Sequence, residues 1–124
     1  MPHTILYVED NLILRHTIKE TLELEGWRVD ACEDGTTALE KLKSDNHYDL
    51  LLLDNDLPGV GGLELIRHSG RLIHRRHMPV VMISAGEVER EARDAGAHEF
   101  LRKPDGIYEI VETISRLLAD SGEE

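Results

Sequence analysis

Four short polar segments, each directly after a run of apolar residues, carry the side chains best suited to chemistry. They are Glu9-Asp10, Asp54-Asn55-Asp56, Ser84-Ala85 and Lys103-Pro104. Carboxylates gathered in one pocket repel each other, by at most about 4 kcal/mol per pair at about 4 Å and an effective dielectric of about 20. A hard divalent cation relieves this repulsion, and an oxygen-only site favours Mg2+ over zinc. A carboxylate left partly free can attack a phosphoryl group and form an aspartyl phosphate, with an ammonium and a hydroxyl beside the phosphoryl oxygens.

Residues 48–62 contain the residue on which we expect this chemistry to depend. Leu50 to Leu53 are four consecutive leucines between Asp49 and Asp54. The run is too short for a helix and indicates a strand buried on both faces, as in parallel sheets covered by helices. A turn follows, indicated by Asn55, Asp56, Pro58 and Gly59. Open α/β sheets bind ligands at the carboxyl ends of their strands, so Asp54 is the first candidate for the functional residue.

Apolar patterns typical of strands and helices alternate along the whole chain. The predicted strands are Ile5 to Val8, Trp27 to Cys32, Leu50 to Leu53, Met78 to Ile83 and Glu99 to Leu101. The predicted helices contain Leu14, Ile18 and Leu22; Thr36 to Leu42; Leu63 and Ile66; Glu87 to Asp94; and Ile107 to Leu118. This order predicts a single α/β domain over residues 1–124, a doubly wound parallel sheet with a polar tail at 119–124. All strand ends then share one rim, where the four polar segments meet.

The net charge, the cysteine count and the lack of long apolar segments argue against several classes of protein. A net charge of −11 argues against direct nucleic-acid binding, which relies on Lys and Arg. The single cysteine, Cys32, cannot form an internal disulfide and favours a reducing compartment. The first residues lack the basic region of a signal peptide, and no stretch has the roughly 18 apolar residues that a membrane span needs. We therefore expect a cytoplasmic protein with no membrane insertion.

The four polar segments, with Leu57-Pro58-Gly59 after the candidate aspartate, resemble the receiver domain of two-component response regulators. The resemblance extends from Ile5 to about Leu118 and leaves no room for an output domain, so we expect a stand-alone receiver. It implies a flavodoxin-like fold, with a five-stranded parallel sheet in the order 2-1-3-4-5 and five helices.

The resemblance also implies a role for each site residue. Asp54 would accept the phosphoryl group. The ligands of Mg2+ would be the side chains of Glu9, Asp10 and Asp54 and the backbone carbonyl of Asp56. Lys103 would bind the phosphoryl group, and the peptide bond between Lys103 and Pro104 is expected to be cis. Ser84 would be the switch hydroxyl that moves toward the phosphoryl group, with Phe100 as the coupled aromatic.

The implied function is a signalling switch rather than an enzyme acting on metabolites. A sensor histidine kinase or a histidine phosphotransfer protein would donate the phosphoryl group to Asp54 in the presence of Mg2+. The modification would then change a surface that binds a downstream protein or a second copy in a homodimer. Two alternatives stay open. One is a Mg2+-dependent phosphatase with an aspartyl-phosphate intermediate, and the other is a docking module that works without phosphorylation.

Two features depart from the family pattern. Lys103 lies 19 positions after Ser84, about one α-helical turn less than the family leads us to expect, which predicts a shortened fourth helix. Asp56 adds negative charge at the mouth of the site, and Gly86 offers no side chain there. Our hypothesis is that these two positions set the lifetime of the aspartyl phosphate.

Residues 67–77 form the only basic segment, with arginines at 67, 71, 75 and 76 and histidines at 68, 74 and 77. The segment precedes the fourth strand and therefore lies away from the carboxylate rim. We interpret it as a solvated connection, with two alternatives: a surface for an acidic partner, and a metal site at His74 and His77, whose spacing could chelate.

Overall fold

A parallel sheet with strands in the order β2-β1-β3-β4-β5 forms the centre of the computed structural model, which describes residues 2–120. The strands are β1 (Thr4–Val8), β2 (Arg28–Cys32), β3 (Leu50–Leu53), β4 (Val80–Ser84) and β5 (Glu99–Arg102). Every neighbouring pair is parallel. The predicted five-stranded order is therefore confirmed, and the carboxyl ends of all strands lie at one edge, here called the rim.

Five α-helices alternate with the strands and cover both faces of the sheet. They are α1 (Leu12–Glu23), α2 (Gly35–Lys43), α3 (Gly62–Arg71), α4 (Glu89–Ala95) and α5 (Ile110–Asp120). Short 3-10 turns, Ile73–Arg75 and Asp105–Glu109, precede β4 and α5. Helices α1 and α5 pack on one face, and α2, α3 and α4 pack on the other. Helices α1, α2, α3 and α5 each bury an apolar stripe, as the sequence spacing predicts, whereas α4 buries only Ala92.

The central strand β3 explains why the sheet is covered on both sides. All four leucines of β3 have 0% exposure. Leu50 and Leu52 pack with α1 and α5, while Leu51 and Leu53 pack with α2 and α3. Successive strand side chains point to opposite faces, so an uninterrupted apolar run needs a helical layer on each face.

Local signals set the ends of several helices. The Asn11 side chain accepts from the N–H of Leu14 at 2.9 Å and begins α1. Asp34 accepts from the N–H of Thr37 at 2.6 Å and begins α2. Both are N-cap bonds that satisfy otherwise unpaired helix donors. After α1 and α4 the chain turns at Gly26 (φ 92°) and Gly96 (φ 127°), a backbone region that favours glycine.

The last two helices refine the sequence prediction. Helix α4 has seven residues, in agreement with the expected shortening. Helix α5 begins at Ile110, because Ile107 lies in the preceding 3-10 turn. Residues 119 and 120, assigned to the polar tail, are the last residues of α5, and 121–124 lie outside the described residues. Within residues 2–120, no helix is both long enough and apolar enough to cross a membrane.

The interpretation of residues 67–77 as a solvated connection is wrong at Arg75, which is 4% exposed. Its guanidinium donates to the carbonyls of Lys41, Leu42, Ser44 and Asn46. It also lies 5.0 Å from the centre of the Tyr48 ring. The last carbonyls of a helix have no partner within that helix, and a guanidinium offers several donors at once. Arg75 therefore fastens the end of α2 to the segment before β4.

Candidate functional site

Asp54 directly follows β3 and is buried at the rim, with 6% exposure. Its N–H donates to the carbonyl of Val8 at 3.1 Å and so continues the pairing of β3 with β1. The carboxylate Oδ1 accepts from the N–H of Asn55 at 2.7 Å. Its Oδ2 lies 3.5 Å from Nζ of Lys103. A backbone donor and a cation thus hold the carboxylate in one orientation.

Glu9 and Asp10 follow β1 and bring two more carboxylates to the same place. Glu9 is 1% exposed, whereas Asp10 is exposed. Glu9 Oε2 accepts from the N–H of Asn11 at 3.2 Å, and Glu9 Oε1 lies 3.2 Å from Nζ of Lys103. One oxygen each from Glu9, Asp10 and Asp54 lies within 4.8 Å of the others. The structure therefore joins the three carboxylates that the sequence singled out.

Lys103 reaches these carboxylates from the end of β5. Its N–H donates to the carbonyl of Ser84 at 2.9 Å, so the backbone stays paired with β4. The peptide bond to Pro104 is cis, as the resemblance implies. The ammonium contacts both Glu9 and Asp54 and so links the ends of β1, β3 and β5.

Burial dominates the electrostatics of the site. Burial raises the pKa of the Asp54 carboxyl above its ordinary value, against the opposing effects of the Lys103 ammonium and the Asn55 N–H. It also raises the pKa of Glu9, where the Asn11 N–H and Lys103 oppose it and Asp54 adds to it. One ammonium therefore does not compensate for taking both carboxylates out of water. The site favours an additional positive charge.

The donor set fits a hard divalent cation. Within residues 2–120, Glu9, Asp10 and Asp54 are the only group of three or more His, Cys, Asp or Glu side chains close enough to share an ion. All three offer carboxylate oxygens, the ligands that Mg2+ and Ca2+ prefer. Asp56 is exposed in the turn after Asp54, and the role of its carbonyl stays a prediction.

The turn after Asp54 is clamped against the start of α2, a feature that the sequence analysis missed. The N–H of Gly35 donates to the carbonyl of Pro58 at 2.9 Å. A Cβ on Gly35 would lie 1.7 Å from the carbonyl oxygen of Val60, and one on Gly62 would lie 2.5 Å from that of Asp54. Only glycine fits these close approaches. The glycine-rich run 59–62, with Gly35 after an acidic cap, was the available signal.

Ser84 and Phe100 lie on β4 and β5 beside the site. Ser84 has 0% exposure, and its Oγ accepts from the N–H of Gly86 at 3.1 Å. It is not the N-cap of α4, since that position is Val88. Phe100 is 8% exposed and belongs to the core on the α4 side of the sheet. Their switch roles remain predictions.

Two other candidates have structural places outside the site. His74, spaced from His77 as in some chelating pairs, places its Nε2 3.1 Å from the carbonyl oxygen of Ser44. Cys32 is buried at the end of β2, and burial raises the pKa of its thiol to about 11. The cysteine is thus a small core residue at the sheet edge.

Comparisons with known proteins agree with this geometry. The family model of the response regulator receiver domain matches residues 5–115. The polar-differentiation response regulator DivK of Brucella anthropi is 31% identical over 98% of this chain and 100% of its own length. The alkaline phosphatase synthesis transcriptional regulatory protein SphR of Synechococcus elongatus is 35% identical over 94% of this chain, which spans 49% of SphR.

A solved structure shows the same fold. The receiver domain of the sensor histidine kinase PA1611 from Pseudomonas aeruginosa PAO1 superposes with a TM-score of 0.88 at 26% identity. The match covers 97% of this chain and 100% of that one. Since the family match extends from β1 into α5 and includes Glu9, Asp54, Ser84 and Lys103, the chain belongs to the response regulator receiver domain family.

Proposed function

We propose that this chain is a signalling switch in which Asp54 accepts a phosphoryl group from a phosphorylated histidine of another protein. Mg2+ would be held by Glu9, Asp10 and Asp54. The observation that carries the proposal is the buried Asp54 carboxylate at the end of the central strand, with Nζ of Lys103 at 3.5 Å. The structure of the PA1611 receiver domain is described with a magnesium ion in its active site cleft, which supports the same choice of ion here.

Each side chain has a definite part in the proposed transfer. An Asp54 oxygen attacks the phosphorus, and an O–P bond forms as the N–P bond of the donor breaks, its electron pair remaining on the imidazole nitrogen. Lys103 is within reach of Asp54 and binds the phosphoryl oxygens as they arrive. Mg2+, when bound, supplies positive charge for the carboxylates and for the charge that develops on the phosphoryl group.

Exposed apolar residues at the rim support a protein, rather than a small molecule, as the physiological donor. Leu12 and Ile13 at the start of α1 are 69% and 77% exposed, and Tyr108 before α5 is 90% exposed. Both segments follow carboxyl ends of strands, so these side chains surround the edge that holds Asp54. Apolar and aromatic residues of this kind are the usual anchors of protein interfaces.

A chain of contacts supports transmission from Ser84 to an outer face. Arg102 Nη1 donates to the carbonyl of Gly86 and to Glu87 Oε2, each at 3.3 Å. Its guanidinium also lies 5.8 Å from the centre of the Phe100 ring. A movement of the Ser84 hydroxyl toward the phosphoryl group would pull on residues 84–87 and so on Arg102. The face of α4, β5 and α5 would then be read by a downstream protein.

Incubation with acetyl phosphate, read by intact mass, tests the proposal. We expect one phosphoryl group on the native chain with Mg2+ and none without it. Asp54→Asn should gain none under either condition. Asp56→Asn is the matched control, because it removes a neighbouring carboxylate but keeps the acceptor. It should still be phosphorylated, with a changed lifetime of the adduct.

The alternatives give different results. Hydrolysis of small phosphate esters with no stable phosphoprotein would indicate the phosphatase. If the native chain takes up no phosphoryl group and also fails to bind beryllofluoride with Mg2+, the phosphoacceptor role is refuted in favour of the docking module.

A further inference from the structure

The amino edge of the sheet, opposite the rim, presents unpaired positive charge in an acidic protein. The chain has 25 Asp and Glu residues and a net charge of −11, yet residues 65–86 contain neither Asp nor Glu. Lys43, Arg71 and Arg76 are exposed there, and among residues 2–120 none of them has an ion-pair partner. Elsewhere among the described residues, exposed Lys19 and Arg93 pair with carboxylates, whereas exposed Arg28 and Arg90 do not. We call Lys43, Arg71, Arg76 and the intervening Ile73 the basic foot.

The buried Arg75 makes the basic foot a fixed surface. It binds the carbonyls at the end of α2, directly beside Lys43. His74 Nε2 lies 3.1 Å from the carbonyl oxygen of Ser44, so the 3-10 turn is held against the same segment at a second point. The acidic residue Asp45 lies near Arg75, at the border of the basic foot. The exposed cations therefore sit on a pre-ordered platform rather than on a loose loop.

A cleft of about 210 Å³ opens beside these cations, between α3, the 3-10 turn and the end of α4. Ile66, Met78 and Val80 contribute apolar groups to a lining that is mostly polar, with Ser69, Arg75, Arg76 and His98. Ile73, 80% exposed, adds apolar surface nearby. A small cleft with three apolar side chains in its lining and cations beside it suits one aliphatic side chain flanked by carboxylates.

We infer that the basic foot and its cleft bind an acidic segment of a partner protein, with an aliphatic side chain of that segment in the cleft. Charge complementarity selects this occupant, because the basic foot has three exposed cations and residues 65–86 add no acidic residue. The amino edge is remote from Asp54, so this contact would hold a partner whether or not the rim is phosphorylated. The proposal does not depend on the phosphoryl transfer proposed above.

Binding of a short fluorescein-labelled glutamate peptide with central leucines, followed by anisotropy, tests this inference. We expect measurable binding that weakens as salt rises from about 0.01 M to about 0.15 M. Arg71→Ala with Arg76→Ala should weaken it about tenfold, the effect of losing two partly screened charge pairs. Arg28→Ala with Arg90→Ala is the control, since it removes two exposed arginines outside the basic foot and should have little effect.

Three further arms make the outcome decisive. The same peptide with alanines in place of leucines should bind more weakly, and equal binding would overturn the role of the cleft. Asp54→Asn should bind like the native chain, and a loss there would overturn the independence from the rim. Binding to phosphatidylserine vesicles but not to the peptide, equal losses in both double variants, or no peptide binding at all would each overturn the proposal.

Discussion

The three tyrosines occupy three different environments, so replacing each by phenylalanine removes one hydroxyl with a different expected effect. Tyr7 on β1 has 0% exposure, and its hydroxyl is the one buried side-chain N or O atom of residues 2–120 without a hydrogen-bond partner. Burying an unpaired hydroxyl costs roughly 1–3 kcal/mol. Tyr7→Phe keeps the ring and its packing and removes this cost. The free energy of unfolding should therefore rise by about that amount.

The other two tyrosines are the matched controls. The Tyr48 hydroxyl donates to Asp30 Oδ2 at 2.5 Å in a residue that is 6% exposed. Tyr48→Phe should lower stability by about 1.5–3 kcal/mol, the range for a hydrogen bond to a charged group. Tyr108 is 90% exposed, and Tyr108→Phe should stay within about 0.5 kcal/mol.

Urea unfolding of the three variants at neutral pH measures these differences. Calorimetry should show a melting point roughly 4–12 °C higher for Tyr7→Phe, at about 4 °C per kcal/mol for a domain of this size. A lower stability of Tyr7→Phe would refute the reasoning and show that the hydroxyl is satisfied, for example by internal water.

The pH dependence gives an independent check. Burial raises the pKa of Tyr48 to about 12, and it raises the pKa of Tyr7 further. The unfolded chain loses each phenol proton first, so the free energy of unfolding falls as pH rises above about 10. Tyr7→Phe and Tyr48→Phe should each lose part of this alkaline destabilisation.

Three further predictions concern the site and the buried arginine. Without metal, Asp54→Asn should raise the melting point at pH 7, since burial raises the pKa of this carboxyl. The gain should vanish below about pH 4, where the Asp54 carboxyl of the native sequence is protonated in the folded and in the unfolded state. An unchanged melting point at pH 7 would contradict this prediction. Gly35→Ala should cost about 1–3 kcal/mol and weaken stabilisation by Mg2+, because its Cβ meets the Val60 carbonyl. Gly61→Ala, with open space, is its control, and equal effects would refute the clamp. Arg75→Met should lower the free energy of unfolding by about 2–4 kcal/mol in urea titration, because it leaves carbonyls unpaired. Arg76→Met should change it little, and similar losses in both would show that Arg75 contributes no more than a surface charge.

The strands and the carboxylate cluster follow from local patterns, and the strand order follows from the resemblance to the receiver family. Leu50 to Leu53 show by composition alone that β3 is covered on both faces. Parallel pairing then places every strand end on one rim, so Glu9, Asp54 and Lys103 meet although they are far apart in the chain. The positions of the motifs in the sequence were therefore enough to predict the site, because in a parallel sheet each motif that follows a strand lies at the rim. The predicted start of the last helix at Ile107 differs from the observed start of α5 at Ile110, because a 3-10 turn has apolar spacing similar to that of a helix.

Only the tertiary structure shows the contacts between segments that are distant in the sequence, because no local pattern predicts them. A buried Arg75 looks like its exposed neighbour Arg76 in the sequence, because burial depends on carbonyls contributed by residues 41–46. The unpaired hydroxyl of Tyr7 and the approach of Gly35 to Val60 likewise depend on which atoms the folded chain brings alongside. Periodicity reports which face of an element is buried, and it carries no information about which polar atoms meet there.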